Sequence, residues 1–261
     1  MRFDRVEHLT RIRATLGEMP VQLLVDTGIG VNVVSPEVAE TLALPGTGET
    51  FAGRRMSGQL IEAPLVRLPP VCVDGRFIAD QVAAVLELGS PDGEHGFSGI
   101  LGLTTFRDHP LTVDPQARTL VLGSPPGAAY QVDLDVRRDG HATDSFVDLV
   151  LPSGVVAHVE LDTGSASLIL DTRYLERGEV ALDGDVETIE ETDETGHPRR
   201  RLVARLAGGI HLVGAPETAL ASPALIAQDI IHDGLVGTDF LDRFRWTIDV
   251  GRAELRLTPQ L

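Results

Sequence analysis

The sequence predicts an all-β protein that is built from two related lobes. Short apolar or alternating runs recur along its 261 residues, and Gly, Pro, Asp and Asn separate them, as strands and tight turns require. The triplet Asp-Thr-Gly occurs at 26–28 and again at 162–164, which is 136 residues later. Further matching positions follow in both halves at nearly the same offset, so we expect two copies of one structural unit.

A second match defines the organisation of the chain. Residues 98–122, SGILGLTTFRDHPLTVDPQARTLVL, align without a gap with residues 233–257, DGLVGTDFLDRFRWTIDVGRAELRL. This alignment pairs Gly99 with Gly234, Gly102 with Gly237, and Asp114 with Asp249. The halves join near LGSPPGAAYQ, whose Pro and Gly residues are typical of a linker. We expect an N-terminal lobe over 1–123, a linker over 124–131 and a C-terminal lobe over 132–261.

The local patterns predict many strands and few helices. Strands are predicted over residues 21–26, 65–75, 81–88, 111–122, 146–162, 200–214 and 246–257. Three segments are predicted as short helices: SPEVAETLAL (35–44), LDTRYLER (170–177) and SPALIAQDII (222–231). Ser35 is the expected N-cap of the first helix, and Pro36 lies in its first turn. The pattern does not alternate strand with helix, which argues against an α/β fold.

Composition and charge restrict the partners. The chain has 22 Lys and Arg against 39 Asp and Glu, a net charge of -17 that repels phosphate backbones and anionic lipid heads. We therefore expect no nucleic-acid partner and no membrane partner. The first residues carry charges where a signal peptide needs an apolar segment, so a cytoplasmic location is expected. Cys72 is the only cysteine and is expected to be a buried strand residue rather than a reactive thiol.

Each half of the chain resembles a retropepsin-type aspartic peptidase unit, and two such units in one chain resemble the bilobal arrangement of pepsin-like enzymes. In each half an apolar strand enters Asp-Thr-Gly, a helix-like segment and a glycine-containing hairpin follow, and a hydrophobic-hydrophobic-Gly element closes the unit. The closing elements are ILG at 100–102 and LVG at 235–237. The resemblance implies the bilobal aspartic-protease fold, with two β-barrel-like lobes and a cleft between them.

The two aspartates of the triplets are the candidate catalytic residues. Peptide hydrolysis without a metal or a covalent nucleophile needs an acid and a base at one water molecule, and two neighbouring carboxyl groups supply both. Like charges at short distance cannot both ionise cheaply, so the pair shares a proton, as is known for the carboxyl pairs of aspartic peptidases. We expect Asp26 to face Asp162 across the junction of the lobes. No cofactor is expected.

The residues that follow the aspartates have supporting roles. Gly28 and Gly164 leave room for the backbone to approach the carboxylates and to donate amide hydrogens to them. The resemblance implies that Thr27 and Thr163 connect the two loops through their hydroxyl groups.

The position after each triplet differs between the halves. Ser165 is the residue that the family commonly has there, whereas Ile29 stands where small residues are usual. We expect the branched side chain of Ile29 either to narrow a substrate subsite or to hinder a water molecule beside the aspartate pair.

Two hairpins are predicted as flaps over the cleft. The first, FAGRRMSGQLIEAP, carries Gly53, Arg54, Arg55 and Gly58, and the second, ETIEETDETGHPRRR, carries Thr195 and Gly196 after a run of acids. Neither hairpin contains a tyrosine. Their opposite charges either attract each other across the cleft or lie in solvated hairpin tips, and we favour the second interpretation.

The sequence therefore predicts an aspartic endopeptidase that acts on a peptide or protein substrate. The alternative is a catalytically silent peptide-binding module on the same scaffold, which has kept the cleft and lost turnover. A monomer is expected, because one chain already supplies both aspartates. No metal site is expected, because the eight histidines show no His-Glu-x-x-His or similar spacing. His158 is expected to be structural.

Overall fold

The fold was analysed on a computed structural model that describes residues 1–73, 75–88, 96–192 and 198–260. Strands dominate these ranges and helices are short. The N-terminal half contains β1 (Asp4–Val6), β2 (Leu9–Leu16), β3 (Met19–Val25), β4 (Asn32–Val34), β5 (Gly46–Arg54), β6 (Leu60–Arg67), β7 (Val71–Val73), β8 (Arg76–Ile78), β9 (Val82–Val85), β10 (Gly99–Leu101), β11 (Leu111–Asp114) and β12 (Thr119–Leu122). It also contains α1 (Pro36–Thr41) and a 3-10 helix, Leu103–Phe106.

The C-terminal half has one additional strand, β13, after which its elements follow the same order. Its strands are β13 (Tyr130–Asp133), β14 (Asp135–Asp139), β15 (Ala142–Val150), β16 (Val156–Leu161), β17 (Leu168–Asp171), β18 (Leu182–Thr192), β19 (Pro198–Leu206), β20 (Gly209–Leu212), β21 (Ala215–Ala221), β22 (Ala224–Gln228), β23 (Gly234–Val236), β24 (Phe244–Asp249) and β25 (Glu254–Pro259). Its helices are α2 (Arg173–Glu176) and α3 (Thr238–Leu241).

Two ten-stranded sheets form the lobes, and their topologies are the same. The N-terminal sheet has the order β5-β6-β9-β4-β10-β3-β2-β7-β8 with β1 on β2, and the C-terminal sheet has the order β18-β19-β22-β17-β23-β16-β15-β20-β21 with β14 on β15. Each strand of the first sheet therefore corresponds to the strand thirteen places later in the chain. Both sheets curl into half-barrels, which confirms the predicted all-β, bilobal fold.

A third sheet joins the lobes. It has the order β12-β11-β24-β25-β13 and takes strands from both halves of the chain. At its centre Thr112 pairs with Thr247, and their hydroxyl oxygens are 2.8 Å apart. These two threonines occupy equivalent positions of the repeat, so an approximate two-fold axis passes between them. The same axis relates the two Asp-Thr-Gly loops.

The glycines that repeat at matching positions allow backbones to approach closely. A Cβ atom on Gly102 would lie 2.4 Å from the carbonyl oxygen of Ile29, and one on Gly237 would lie 2.4 Å from that of Ser165. Any side chain there would push the closing strand away from the loop that carries the aspartate. The repeated glycines are thus explained by packing around the two loops.

The structure corrects one of the three predicted helices. α1 begins after Ser35, whose hydroxyl accepts a hydrogen bond from Val38 N at 3.3 Å, and α2 lies inside the second predicted segment. Segment 222–231 instead forms β22, which lies between β17 and β19 with alternating burial. The prediction failed because the sheet position overrides the local helix propensity of a short apolar run.

Cys72 is half-buried, whereas its neighbours Val71 and Val73 are fully buried. The expected burial of Cys72 was therefore wrong, because side chains alternate between the two faces of a strand. No helix among the described residues is both long and apolar enough to cross a lipid bilayer.

Candidate active site

The two triplet aspartates directly follow equivalent strands, β3 and β16. The amide of Asp26 donates to Leu101 O at 3.1 Å, and the amide of Asp162 donates to Val236 O at 3.1 Å. The neighbouring parallel strands β10 and β23 thereby hold the start of each loop. The carboxyl groups of Asp26 and Asp162 lie close enough together that each affects the pKa of the other. The structure thus brings the two carboxyl groups together between the lobes.

The glycines of the triplets make this approach possible. A Cβ atom on Gly28 would lie 2.2 Å from Asp162 Oδ1, and one on Gly164 would lie 2.4 Å from Asp26 Oδ2. Each glycine also donates its amide hydrogen within its own loop, from Gly28 to Asp26 Oδ1 at 2.9 Å and from Gly164 to Asp162 Oδ1 at 2.8 Å. Each carboxyl group is therefore held by its own loop and packed against the glycine of the other.

The triplet threonines connect the loops in a reciprocal way. Thr27 N donates to Thr163 Oγ1 at 3.0 Å, and Thr163 N donates to Thr27 Oγ1 at 3.1 Å. The hydroxyl of Thr27 donates to Leu161 O at 2.7 Å, and that of Thr163 donates to Val25 O at 3.3 Å. Both threonines are buried, so these four bonds are shielded from water and fix the loops relative to each other.

Burial raises the pKa of both aspartates. For Asp26 desolvation is the main cause, and hydrogen bonds from the Gly28 and Gly164 amides together with the nearby His8 counter it. For Asp162 desolvation is again the main cause, and the neighbouring Asp26 charge adds to it, so its pKa lies well above the usual range. Because the two carboxyl groups interact, they titrate as a pair rather than as two independent acids.

The aspartate pair lies in a cavity of about 780 Å³ whose lining comes from both lobes. The N-terminal hairpin formed by β5 and β6 covers this cavity, and Gly53, Arg54 and Arg55 belong to its lining. The tip of the hairpin reaches the other lobe, where Ile231 N donates to Met56 O at 3.0 Å. This hairpin therefore closes the cavity by a direct contact between the lobes.

The two predicted flaps differ in their placement. Gly58 lies in the tip of the first hairpin with a φ of 84°, and a Cβ atom there would lie 3.3 Å from the Ile231 side chain. In the second hairpin, formed by β18 and β19, Thr195 and Gly196 fall outside the described residues. Its acidic and basic strands pair with each other, with Glu190 opposite Arg200.

The residues after the triplets also differ in their surroundings. Ile29 belongs to the lining of the cavity. The hydroxyl of Ser165 donates to Ser167 O at 3.2 Å, and its amide is hydrogen-bonded to Asp162. The isoleucine therefore meets the space in which a substrate would lie, while the serine supports its own loop.

Sequence reasoning missed two acids that belong to the same cavity, Glu160 and Asp144. Glu160 precedes Asp162 by two residues and so lies on the same face of the strand, and Asp144 occupies the neighbouring position on β15. The signal was present in the sequence VELD, where the alternation places two carboxylates on one face.

A larger cavity, of about 940 Å³, lies beside α1 in the N-terminal lobe. It contains neither triplet aspartate, so the chemistry of the lining rather than the size identifies the candidate site. Within the described part of the chain, no group of three or more His, Cys, Asp and Glu side chains is arranged to hold a metal ion.

Comparison with known proteins supports one family. Residues 12–105 match the family model described as aspartyl protease. The matched segment contains Asp26 and its closing glycine, Gly102, and covers most of the N-terminal lobe. Among curated proteins, none matches the chain. The match supports an aspartyl-protease scaffold and, with it, a hydrolase of the aspartic-protease kind.

Proposed function

We propose that this protein is an aspartic endopeptidase of the two-lobed kind, in which two retropepsin-type units in one chain complete a single site. The observation that carries the proposal is the pair of neighbouring carboxyl groups, Asp26 and Asp162, each packed against the glycine of the other loop in a cavity lined by both lobes. Its substrate is a peptide or a protein, which the hairpin of β5 and β6 would cover. The equivalence of the two lobes supports a monomeric enzyme.

The proposed reaction uses one water molecule and one shared proton. Asp26 accepts a proton from the water as the water oxygen attacks the scissile carbonyl carbon, and Asp162 donates its proton to the carbonyl oxygen. Asp26 then gives its proton to the leaving nitrogen while the C–N bond breaks, and a hydroxyl of the tetrahedral intermediate returns a proton to Asp162. The pair ends in its starting state, so no cofactor is required.

The roles are assigned from the neighbours of each carboxyl group. The loss of solvent and the neighbouring Asp26 charge make the ionised form of Asp162 the more costly one. Asp26 has His8 nearby, whose Nε2 lies 2.9 Å from Gly164 O, and this favours its ionised form. Asp26 is therefore the base and Asp162 the acid.

Substitution of the pair tests the proposal. Asp26→Asn and Asp162→Asn are each expected to abolish cleavage of a diverse peptide library, and the double variant is expected to add little, because residues that act as a unit are not additive. Asp114→Asn is the matched control, since this aspartate accepts a hydrogen bond from Ala117 N in a turn of the joining sheet.

Two results would overturn the proposed function. A single Asn variant that keeps most of its activity would exclude the shared-water mechanism. No cleavage by the unmodified protein, together with saturable peptide binding that survives Asp26→Asn, would instead favour the silent binding module. Dilution gives a separate test of the monomer, because an enzyme with both aspartates in one chain keeps its specific activity at low concentration.

A further inference from the structure

Glu160 is a buried acid beside the aspartate pair, and among the described residues its only cationic partner within 4 Å is the imidazole of His232. Its exposed fraction is 3%, yet it belongs to the lining of the cavity that holds the pair. The nearest cationic group in the described structure is His232, whose Nε2 lies 3.8 Å from Glu160 Oε2, beyond hydrogen-bonding distance. A carboxylate buried without a partner is costly, so its retention in this cavity needs an explanation.

The groups around Glu160 do not supply the missing charge. Burial lowers the pKa of His232, which favours its neutral form. Arg137 is engaged elsewhere, because its Nε lies 2.9 Å from Asp135 Oδ2 and its guanidinium stacks 4.2 Å from the centre of the Phe146 ring. No hydrogen bond to the Glu160 carboxyl group is found among the described residues.

The other acids of the cavity make the ionised form of Glu160 still more costly. Burial raises the pKa of Glu160 well above its usual range, and the charges of Asp162, Asp144 and Asp26 add to the effect. Burial also raises the pKa of Asp144, whose Oδ1 lies so close to Gly30 that a Cβ atom there would be 2.5 Å away. Arg54 and Arg55 line the hairpin side of the cavity, whereas a positive charge beside Glu160 would be attracted by several carboxyl groups at once.

We propose that Glu160 and Asp144 form a subsite for a lysine or arginine side chain of the substrate. The inference rests on the proposed peptidase function and names the substrate class of that site. The ammonium or guanidinium group would supply a charged hydrogen-bond partner, which the described residues do not give to Glu160. Ile231 belongs to the same lining and offers an apolar contact for the methylene groups of such a side chain.

The subsite predicts a direction of pH dependence. A bound cation favours the ionised form of Glu160, so binding releases a proton and becomes stronger as the pH rises through the pKa of this group. The charged and titratable groups that face Glu160 are Asp162 on β16, Asp144 on β15, Arg137 on β14, His232 before β23, and Asp26 across the cavity. An uncharged side chain in the same position is expected to lack the part of the pH response that Glu160 contributes.

Non-cleavable peptide analogues with a hydroxyl group in place of the scissile bond provide the test. Pairs of analogues carry lysine or norleucine at each position flanking the hydroxyl, so that the two members differ only by the amine. A hydrogen bond to a charged group contributes about 1.5–3 kcal/mol, so the lysine member is expected to bind the unmodified protein about tenfold or more tightly at one position. In Glu160→Gln the preference is expected to disappear.

Glu62→Gln is the matched control, because Glu62 is an exposed acid of β6 outside the lining of the cavity. It is expected to keep the lysine preference. Where Glu160→Gln does not fold, Glu160→Leu replaces it, since leucine occupies the equivalent position, Leu24, in the N-terminal lobe. Thermal unfolding of each variant establishes that it is folded before binding is measured.

The outcomes separate this inference from the proposed function. Equal binding of lysine and norleucine analogues by the unmodified protein, or a preference that survives Glu160→Gln, would overturn the subsite even if peptides are cleaved. A lysine preference that requires Glu160 supports the subsite, and because it is measured by binding, it does so even if no cleavage is observed.

Discussion

The two lobes share one topology but differ in the charge that each presents beside the aspartate pair. In the N-terminal lobe Leu24 lies two residues before Asp26, and in the C-terminal lobe Glu160 lies two residues before Asp162. Both are buried, at 4% and 3% exposure. Duplication therefore explains the symmetric features, namely the pair, its glycines and its threonines, whereas divergence at equivalent positions such as this one explains the asymmetric ones.

This difference bears on the chemistry of the pair. Two identical carboxyl groups in identical surroundings would share a proton equally. Here the C-terminal lobe adds acids next to Asp162, and the N-terminal lobe contributes His8 near Asp26. In the proposed mechanism this asymmetry gives different roles to two residues that the repeat makes equivalent.

The glycines offer the largest test of the symmetric part. Gly28→Ala and Gly164→Ala each place a methyl group against the opposite aspartate, and a displacement of about 1 Å at a catalytic group costs on the order of a hundredfold in rate. Both variants are expected to lose peptide cleavage to a similar degree, measured as kcat/KM. Gly46→Ala is the control, because a Cβ atom at Gly46 meets no atom within 4 Å.

A large loss in one glycine variant and normal activity in the other would contradict the equivalence of the two loops. The relevant contacts are reciprocal, so a one-sided result would mean that the pair is held mainly by one lobe.

The threonine contacts provide a second symmetric test, in stability. Thr27→Val and Thr163→Val each leave a buried backbone N–H and a buried carbonyl without a partner, at a cost of about 1–3 kcal/mol in the free energy of unfolding. Denaturant unfolding is expected to show similar losses for the two variants. Thr27→Ser and Thr163→Ser keep the hydroxyl groups and are expected to lose less, whereas equal losses in the Ser and Val variants would exclude the hydrogen bonds as the cause.

The symmetric features are also those that the sequence predicted. The fold followed from the repeat, because the closing glycines and the Asp-Thr-Gly loops need each other for backbone packing and therefore recur at matched spacing. Segment 222–231 was predicted wrongly as a helix, although its counterpart 81–88 was predicted correctly as a strand. The strand predicted at 81–88 already indicated a strand at the equivalent place in the second half, but the local helix propensity of segment 222–231 pointed the other way.

The asymmetric features could not be predicted in the same way. The hydrogen bond from Ile231 N to Met56 O depends on how the two lobes face each other, and no local sequence pattern predicts that contact. The sequence shows Glu160 two residues before Asp162, on the same face of the strand. Its burial and its 3.8 Å distance from His232 depend instead on β15 and on the loop that holds His232.

A third prediction concerns the asymmetric acid and pH. The pKa of Glu160 is raised in the folded protein above its usual value of 4.5, so its contribution to stability is fully present below the unfolded pKa and is lost as the pH rises through the folded pKa. Glu160→Gln is expected to remove this loss. Its free energy of unfolding should fall less between acidic and neutral pH than that of the unmodified protein.

Denaturant unfolding at several pH values makes the measurement, with Glu62→Gln as the control that keeps the original pH dependence. The aspartate pair contributes in the same direction in all three proteins, so the difference between them reports Glu160 together with its effect on the pair. A Glu160→Gln profile that runs parallel to that of the unmodified protein would show that the acid is not perturbed by its surroundings.

The smallest expected effect concerns the position after each triplet, where the lobes carry Ile29 and Ser165. Ile29 meets the cavity, whereas the Ser165 hydroxyl is bonded to Ser167 O within its own loop. A methylene in an apolar pocket discriminates by roughly 1–3 kcal/mol, so Ile29→Ala is expected to broaden cleavage toward peptides with bulky apolar residues at the scissile bond without creating or abolishing activity.

The same substitution in the other lobe supplies the comparison. Ser165→Ala removes one hydrogen bond within a loop and leaves the lining of the cavity unchanged, so its cleavage pattern on a diverse peptide library is expected to match that of the unmodified protein. Similar changes of pattern in Ile29→Ala and Ser165→Ala would mean that both positions reach the substrate. In that case the narrowing of the subsite would be a property of the symmetric site and not of the N-terminal lobe alone.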